Sequence, residues 1–278
     1  MAADFRFGQE RLSGLVWGDP DAVDTLCLHG WLDNAASFHH LAPELSSGNI
    51  VAVDLPGHGH SAWKPEGSGY AIWGYTRALH ALVSNFSQPV QLVAHSMGGS
   101  AALCLAAAFP EFVRSLVLLD SPGPIITPEN RIAGQLREGV EAASKVRPSR
   151  VFSSQDEAIA ARRKATPQLS EEALKLIVER NLKSTPEGYQ WTTDPHLRQV
   201  SELRLTEAQV EHLMRSVTCP VLSIRAENGL MPASFFELRM KYLQNVESVV
   251  LPGHHHFHLE PDTVAAIADQ INGFHNGG

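Results

Sequence analysis

The passage from Val90 to Pro110 constrains this chain most. The apolar run Val90-Gln91-Leu92-Val93-Ala94 leads into His95-Ser96-Met97-Gly98-Gly99 and directly into an Ala- and Leu-rich stretch, Met97 to Phe109, that stops at Pro110. A strand must therefore turn into a helix over a residue or two, with Ser96 at the turn and small residues, Ala94 and Gly98, on its flanks. A further apolar run, Leu116 to Leu119, follows. Strand, helix and strand at this spacing form a βαβ unit and imply a parallel sheet. Three earlier runs read as strands of the same sheet: Arg11 to Trp17, Thr25 to Leu28 and Asn49 to Val53. The strands of this sheet are largely apolar and do not alternate, as a sheet covered by helices on both faces requires. The expected architecture is α/β, a mostly parallel central sheet between two helical layers.

A shift in composition divides the chain. From Gln88 to Pro124 only three of 37 residues are charged, whereas from Pro128 to Thr185 19 of 58 are. The charged stretch has helical periodicity, with Ile132, Leu136, Val140 and Ala143 on one face and Leu174, Ile177, Val178 and Leu182 on another. Ser170 reads as an N-cap, followed by Glu171 and Glu172 at the positive end of the helix dipole. The sheet pattern resumes with Val221 to Arg225, a helix over Pro232 to Leu243, a strand over Ser248 to Leu251, and a last helix bearing Val264, Ile267, Ile271 and Phe274. The expected division is a core of residues 1–122 and 218–278 and an inserted helical cap of residues 123–217. The cap should lie over the C-terminal edge of the sheet, where open α/β folds bind ligands.

Composition narrows the function classes. With 22 basic against 30 acidic residues, a net charge of -8 and no Lys/Arg cluster, nucleic acid is a poor ligand for this chain. Its longest apolar runs fall well short of the roughly 20 residues of a membrane helix, so no membrane span is expected. The opening Met-Ala-Ala-Asp-Phe-Arg offers no apolar signal segment, and Cys27, Cys104 and Cys219 are widely spaced in apolar surroundings. They read as reduced core residues of a cytoplasmic protein.

Three segments carry the chemistry. A serine held between strand and helix projects its hydroxyl, and the N–H of Met97 can face a developing oxyanion. Leu26-Cys27-Leu28-His29-Gly30-Trp31-Leu32-Asp33-Asn34 ends a strand beside it, so the Trp31 N–H is the second candidate oxyanion donor and its indole a candidate pocket wall. His29 could serve as a base, but it more readily holds this loop by hydrogen bonds. The third segment, Leu251-Pro252-Gly253-His254-His255-His256-Phe257-His258-Leu259-Glu260-Pro261, has four histidines in five positions. With no obvious carboxylate or thiol partner it is a weak metal motif, and no metal or other cofactor is expected. A base for Ser96 belongs in a loop after the last strand, and the order nucleophile, acid, histidine fits.

In these pieces, together with Asp54-Leu55-Pro56-Gly57-His58-Gly59-His60-Ser61, the chain resembles the α/β-hydrolases from Thr25 to Phe274. His29 to Ala35 and Leu118-Leu119-Asp120-Ser121-Pro122 resemble the serine hydrolase-like branch, of esterase and lipase type. The resemblance implies a base four residues before Leu259, which is His255. It offers two acids. Most relatives carry theirs after the strand reading Pro220 to Arg225, where Gly229 occupies the usual position and Glu227 is the nearest carboxylate. A subset carries it after the strand that follows the nucleophile helix, here at Asp120. The expected function is hydrolysis of a small-molecule carboxylic ester or related acyl substrate through an acyl-enzyme, with Ser96, Asp120 and His255 as the triad and Glu227 as the alternative acid. Perhydrolysis or carbon–carbon bond hydrolysis would use the same residues, and a non-catalytic ligand-binding receptor could share the fold. Ser96 argues against haloalkane dehalogenases and epoxide hydrolases, whose nucleophile is Asp. The motifs assign no oligomeric state.

Overall fold

A computed structural model describes residues 3–7 and 11–276. Residues 1–2, 8–10 and 277–278, which the sequence reading assigns to the core, lie outside the described residues. The first half contains strands β1 (Ala3–Phe7), β2 (Leu12–Trp17), β3 (Thr25–Leu28) and β4 (Ile50–Asp54), then helix α1 (Thr76–Val83), strand β5 (Val90–His95), helix α2 (Met97–Ala108) and strand β6 (Val113–Leu119). Next come α3 (Ile132–Ala143), β7 (Val151–Phe152), α4 (Gln155–Ala165), α5 (Glu171–Arg180), β8 (Leu182–Thr185), β9 (Gly188–Trp191) and α6 (Glu207–Arg215). The chain closes with β10 (Val221–Asn228), α7 (Ala233–Met240), β11 (Val246–His254) and α8 (Pro261–Asn276).

The central sheet has the order β1-β2-β4-β3-β5-β6-β10-β11. The pairs β1–β2 and β2–β4 are antiparallel and the others parallel. Leu28 pairs with Ala94, Ala94 with Leu118, and Leu119 with Ile224, so the C-terminal ends of β3, β5, β6 and β10 lie side by side. Successive residues of each strand serve opposite cores. Leu26, Leu28, Leu92, Ala94, Leu116 and Leu118 pack against α1, α2 and α6. Cys27, Val93, Val117, Leu119 and Ile224 pack against Phe38, Phe257 and the inner face of α8. This two-sided burial is why the strand sequences show no alternation.

The structure differs from the expected helical cap in two ways. The excursion contains a small antiparallel sheet of order β7-β9-β8, whose strands are too short to leave a period in the sequence. Phe152, Leu169, Leu174, Ile177 and Val178 form a separate small core there. In addition α6, inside the expected cap boundary, buries Val210 and Met214 in the core that α2 shares. The edge strand β1 left no apolar run because Asp4 and Arg6 are exposed. Ser170 caps α5, its hydroxyl accepting from the Ala173 N–H. Among the described residues no helix is long and apolar enough to cross a membrane, and all three cysteines are buried and free.

Candidate active site

Ser96 stands between β5 and α2 with φ 50° and ψ -117°. Positive φ is unusual for a residue with a side chain and is held only when the surroundings over-determine it. Here the Ser96 N–H donates to Leu119 O at 3.1 Å and Ser121 Oγ donates to Ser96 O at 2.7 Å. Gly98 admits the close approach of β3: a Cβ there would lie 2.3 Å from Leu28 O. Leu32 (φ 61°) and Asp120 (φ 43°) share the positive-φ region. Three of the four described non-glycine residues of this kind therefore gather at one edge of the sheet.

His255 joins the other two. Its Nε2 accepts from Ser96 Oγ at 3.0 Å, and its Nδ1 donates to Asp120 Oδ2 at 2.5 Å. Asp120 is buried, and its carboxylate also accepts from the N–H groups of Ala226 (3.1 Å) and Leu230 (3.3 Å). Glu227, the other carboxylate weighed above, is exposed on β10 and makes no hydrogen bond to His255 among the described residues. Gly229 explains the alternative geometry: a Cβ there would sit 2.4 Å from Asp120 Oδ1. An acid at position 229 and one at 120 would contest the same space.

The remaining histidines hold the loop. His95 Nε2 donates to the backbone carbonyl of His255 at 2.8 Å. The His95 and His258 rings lie 4.0 Å apart between centroids, and burial holds both pKa values far below the ordinary imidazole range, so both are neutral. His256 Nε2 lies 3.4 Å from Asp33 Oδ2, whose other oxygen accepts from Arg162 of α4 at 2.6 Å. Burial alone would raise the Asp33 pKa, but His256 and Arg162 outweigh it and hold Asp33 ionised. His254 is lowered by burial despite Glu260 at 3.4 Å. Among the described residues no group of three or more His, Cys, Asp or Glu has metal-binding geometry.

His29 uses both ring nitrogens, Nδ1 donating to Gly30 O at 2.7 Å and Nε2 accepting from the Leu55 N–H at 2.9 Å. It fixes its loop and has no lone pair left for Ser96. Among the described residues, the N–H groups of Trp31 and Met97 have no acceptor within the protein. The Trp31 indole donates to Leu197 O at 2.9 Å and lines a cavity of about 720 Å³ above Ser96. Residues of both the sheet edge and the excursion, among them Ile125, Leu203 and Arg204, line it as well.

The motif reading missed Asp33, His95, and the pairing of Asp54 with Arg180. Arg180 donates to both Asp54 oxygens at 3.1 Å or less, fastening α5 to the end of β4. Asp33 and Asp54 both stood in quoted motifs, but their partners in α4 and α5 carry no sequence signal linking them.

A serine in a strand-to-helix turn, an imidazole and a carboxylate at the C-terminal edge of a mostly parallel eight-stranded sheet define an α/β-hydrolase fold. The sequence pattern of the alpha/beta hydrolase family matches residues 25–269, and the chain belongs to that family. It is 30% identical to a serine hydrolase-like protein of Danio rerio over 272 residues, covering 92% of this chain and 83% of that one. It is 32% identical to a probable serine hydrolase of Drosophila melanogaster over 267 residues, covering 90% and 80%. The crystal structure of a hypothetical protein from Pseudomonas aeruginosa PAO1 superposes with a TM-score of 0.91 at 33% identity, covering 99% of each chain. A thioesterase domain from the curacin biosynthetic pathway, 24% identical with a TM-score of 0.83 over 98% of both chains, shares the fold.

Proposed function

We propose that the chain is a serine hydrolase that cleaves a small-molecule carboxylic ester or related acyl substrate through an acyl-enzyme. The carrying observation is the unbroken hydrogen-bonded line from Ser96 Oγ through His255 to Asp120. In this reading Ser96 attacks the carbonyl while His255 Nε2 takes its proton, later returned to the leaving group. Asp120 keeps the Nδ1–H tautomer and stabilises the imidazolium. The free N–H groups of Trp31 and Met97 receive the oxyanion, the latter at the start of α2. No metal or cofactor enters these steps.

The division into a core (1–122 and 218–278) and a cap (123–217) supports the same reading, with α6 packed on the core. The cap is fastened to the sheet edge by Asp33–Arg162 and Asp54–Arg180, and so roofs the cavity. The buried free cysteines support a reducing, cytoplasmic setting. The names of the relatives, serine hydrolase-like protein and probable serine hydrolase, point the same way. A fluorophosphonate probe tests the proposal: it should label the protein but not Ser96→Ala, and p-nitrophenyl esters should be turned over only by the former. A receptor with an inert serine would neither label nor turn over.

A further inference from the structure

The cavity above Ser96 carries its charge unevenly. The chain as a whole has an excess of acid, yet among the described residues the carboxylates lining this cavity are only Asp33 and Asp120, and both are engaged. Three arginines line it among the described residues: Arg162, Arg198 and Arg204. Arg162 is paired with Asp33. Arg198 and Arg204 have no hydrogen-bond or ion-pair partner among the described residues.

Arg204 departs from the rest of the molecule. It is partly buried, and the other buried or partly buried arginines all have acceptors: Arg162, Arg163, Arg180 and Arg239 on carboxylates and Arg225 on a carbonyl. With no acceptor among the described residues, the Arg204 guanidinium remains available to an anion in the cavity. Its segment is also tied down. The Asp194 N–H donates to Gly57 O at 2.8 Å, Gln135 Nε2 donates to Ser201 O, and the Thr127 N–H donates to Leu205 O at 3.1 Å. Around this positive feature the cavity is apolar. Six of its lining side chains, Trp31, Trp73, Ile125, Val200, Leu203 and Leu230, are among the exposed large hydrophobic residues of the protein. Apolar side chains gathered around a cavity, with a few fixed polar groups, mark a ligand site.

We propose that the substrate is an anionic amphiphile: an ester or thioester with an apolar body and a carboxylate, sulfonate or phosphate that Arg204, assisted by Arg198, receives. This deepens the hydrolytic reading above and rests on it. A neutral ester of the same length would leave Arg204 without an acceptor.

Two matched pairs of soluble esters, each below its micelle threshold, test it. The mono-p-nitrophenyl ester of suberic acid against p-nitrophenyl octanoate places the charge on the acyl side. The 4-carboxyphenyl ester of octanoic acid against phenyl octanoate places it on the leaving side. After correction for alkaline reactivity, one pair should favour the anion by about tenfold or more in kcat/KM, the scale of one charge-assisted contact. The preference should fall as salt rises, and Arg204→Gln should bring the ratio close to one. Binding of octanoate and octanol by calorimetry gives a readout independent of turnover, with the anion favoured by a similar factor in the wild type. Equal cleavage of both members of each pair, with equal binding of octanoate and octanol, overturns the inference and leaves the hydrolase standing. An unchanged ratio in Arg204→Gln overturns it too. Preferential octanoate binding with neither turnover nor probe labelling would uphold the anion site and remove the hydrolytic reading.

Discussion

In the proposed triad, Asp120→Asn separates the two carboxylates weighed as partners of His255 and has a magnitude that the geometry supplies. The His255 Nδ1–Asp120 Oδ2 distance is 2.5 Å, which puts the imidazolium and carboxylate charge centres about 4 Å apart in a buried setting. At an effective dielectric near 20 that attraction is worth about 4 kcal/mol, and it exists in full only once His255 is protonated in the transition state. Replacing the charge with an amide should therefore lower kcat/KM by roughly a thousandfold. The fold should be weakened only modestly. Ala226 and Leu230 donate to different carboxylate oxygens, so the amide NH₂ must face one of these N–H groups, a cost of about 1–3 kcal/mol. Hydrolysis of p-nitrophenyl butyrate gives the first number and urea unfolding the second. Glu227→Gln, at an exposed position, should stay within about twofold of the wild type. An Asp120→Asn enzyme within tenfold of the wild type, or a larger loss in Glu227→Gln, would refute the argument.

Other outcomes follow from the same site. His255→Ala should abolish turnover of p-nitrophenyl esters while His254→Ala retains it; the reverse pattern would show that a different ring serves Ser96. Gly229→Ala should displace the Asp120 carboxylate, since the new Cβ would lie 2.4 Å from Oδ1, and kcat should drop about tenfold or more while the far-UV dichroism is unchanged. Chelators should leave activity untouched; loss with chelator and recovery with zinc would give the histidine run a metal. Burial pushes the His58 pKa down to about 3, below its unfolded value near 6.5. Between those values the unfolded chain binds the extra proton, so this contribution is present above about pH 6.5 and lost progressively as pH falls toward 3. At pH 5 the loss is roughly 2 kcal/mol relative to pH 7, and His58→Asn should flatten the difference in urea stability between those pH values by that amount.

The elbow was legible because everything that makes it is local: an apolar strand, a serine flanked by small residues, and an Ala-rich helix that follows at once. The same holds for β3 and the His29 loop, whose strand bounds match the apolar run Thr25–Leu28. Selecting one histidine from four required family spacing, since all four lie within five positions at the end of β11 and differ in what packs against them. The acid stayed open between Asp120 and Glu227 because its choice depends on where β10 ends. That end includes a register irregularity against β11 between Ala226 and Asn228, a feature of pairing with a distant strand. Asp33 was illegible for the same reason: its partners, Arg162 and His256, lie far along the chain and meet it only when the excursion and the terminal loop fold over β3. The small sheet of β7, β8 and β9 was hidden by its short strands.

The hydrogen bond from His95 to the His255 carbonyl ties residues 160 positions apart, and its donor is the residue immediately before Ser96. The loop bearing the imidazole extends from β11, the outermost strand, where fraying is ordinarily cheapest. Through His95 it is anchored instead to β5, which has a neighbour on each side and a fully buried backbone run. Ser96 and His255 thus share one mechanical reference, β5. The entropy of bringing the two side chains together is spent during folding, before any ligand arrives, and the proposed attack by Ser96 would begin from that alignment.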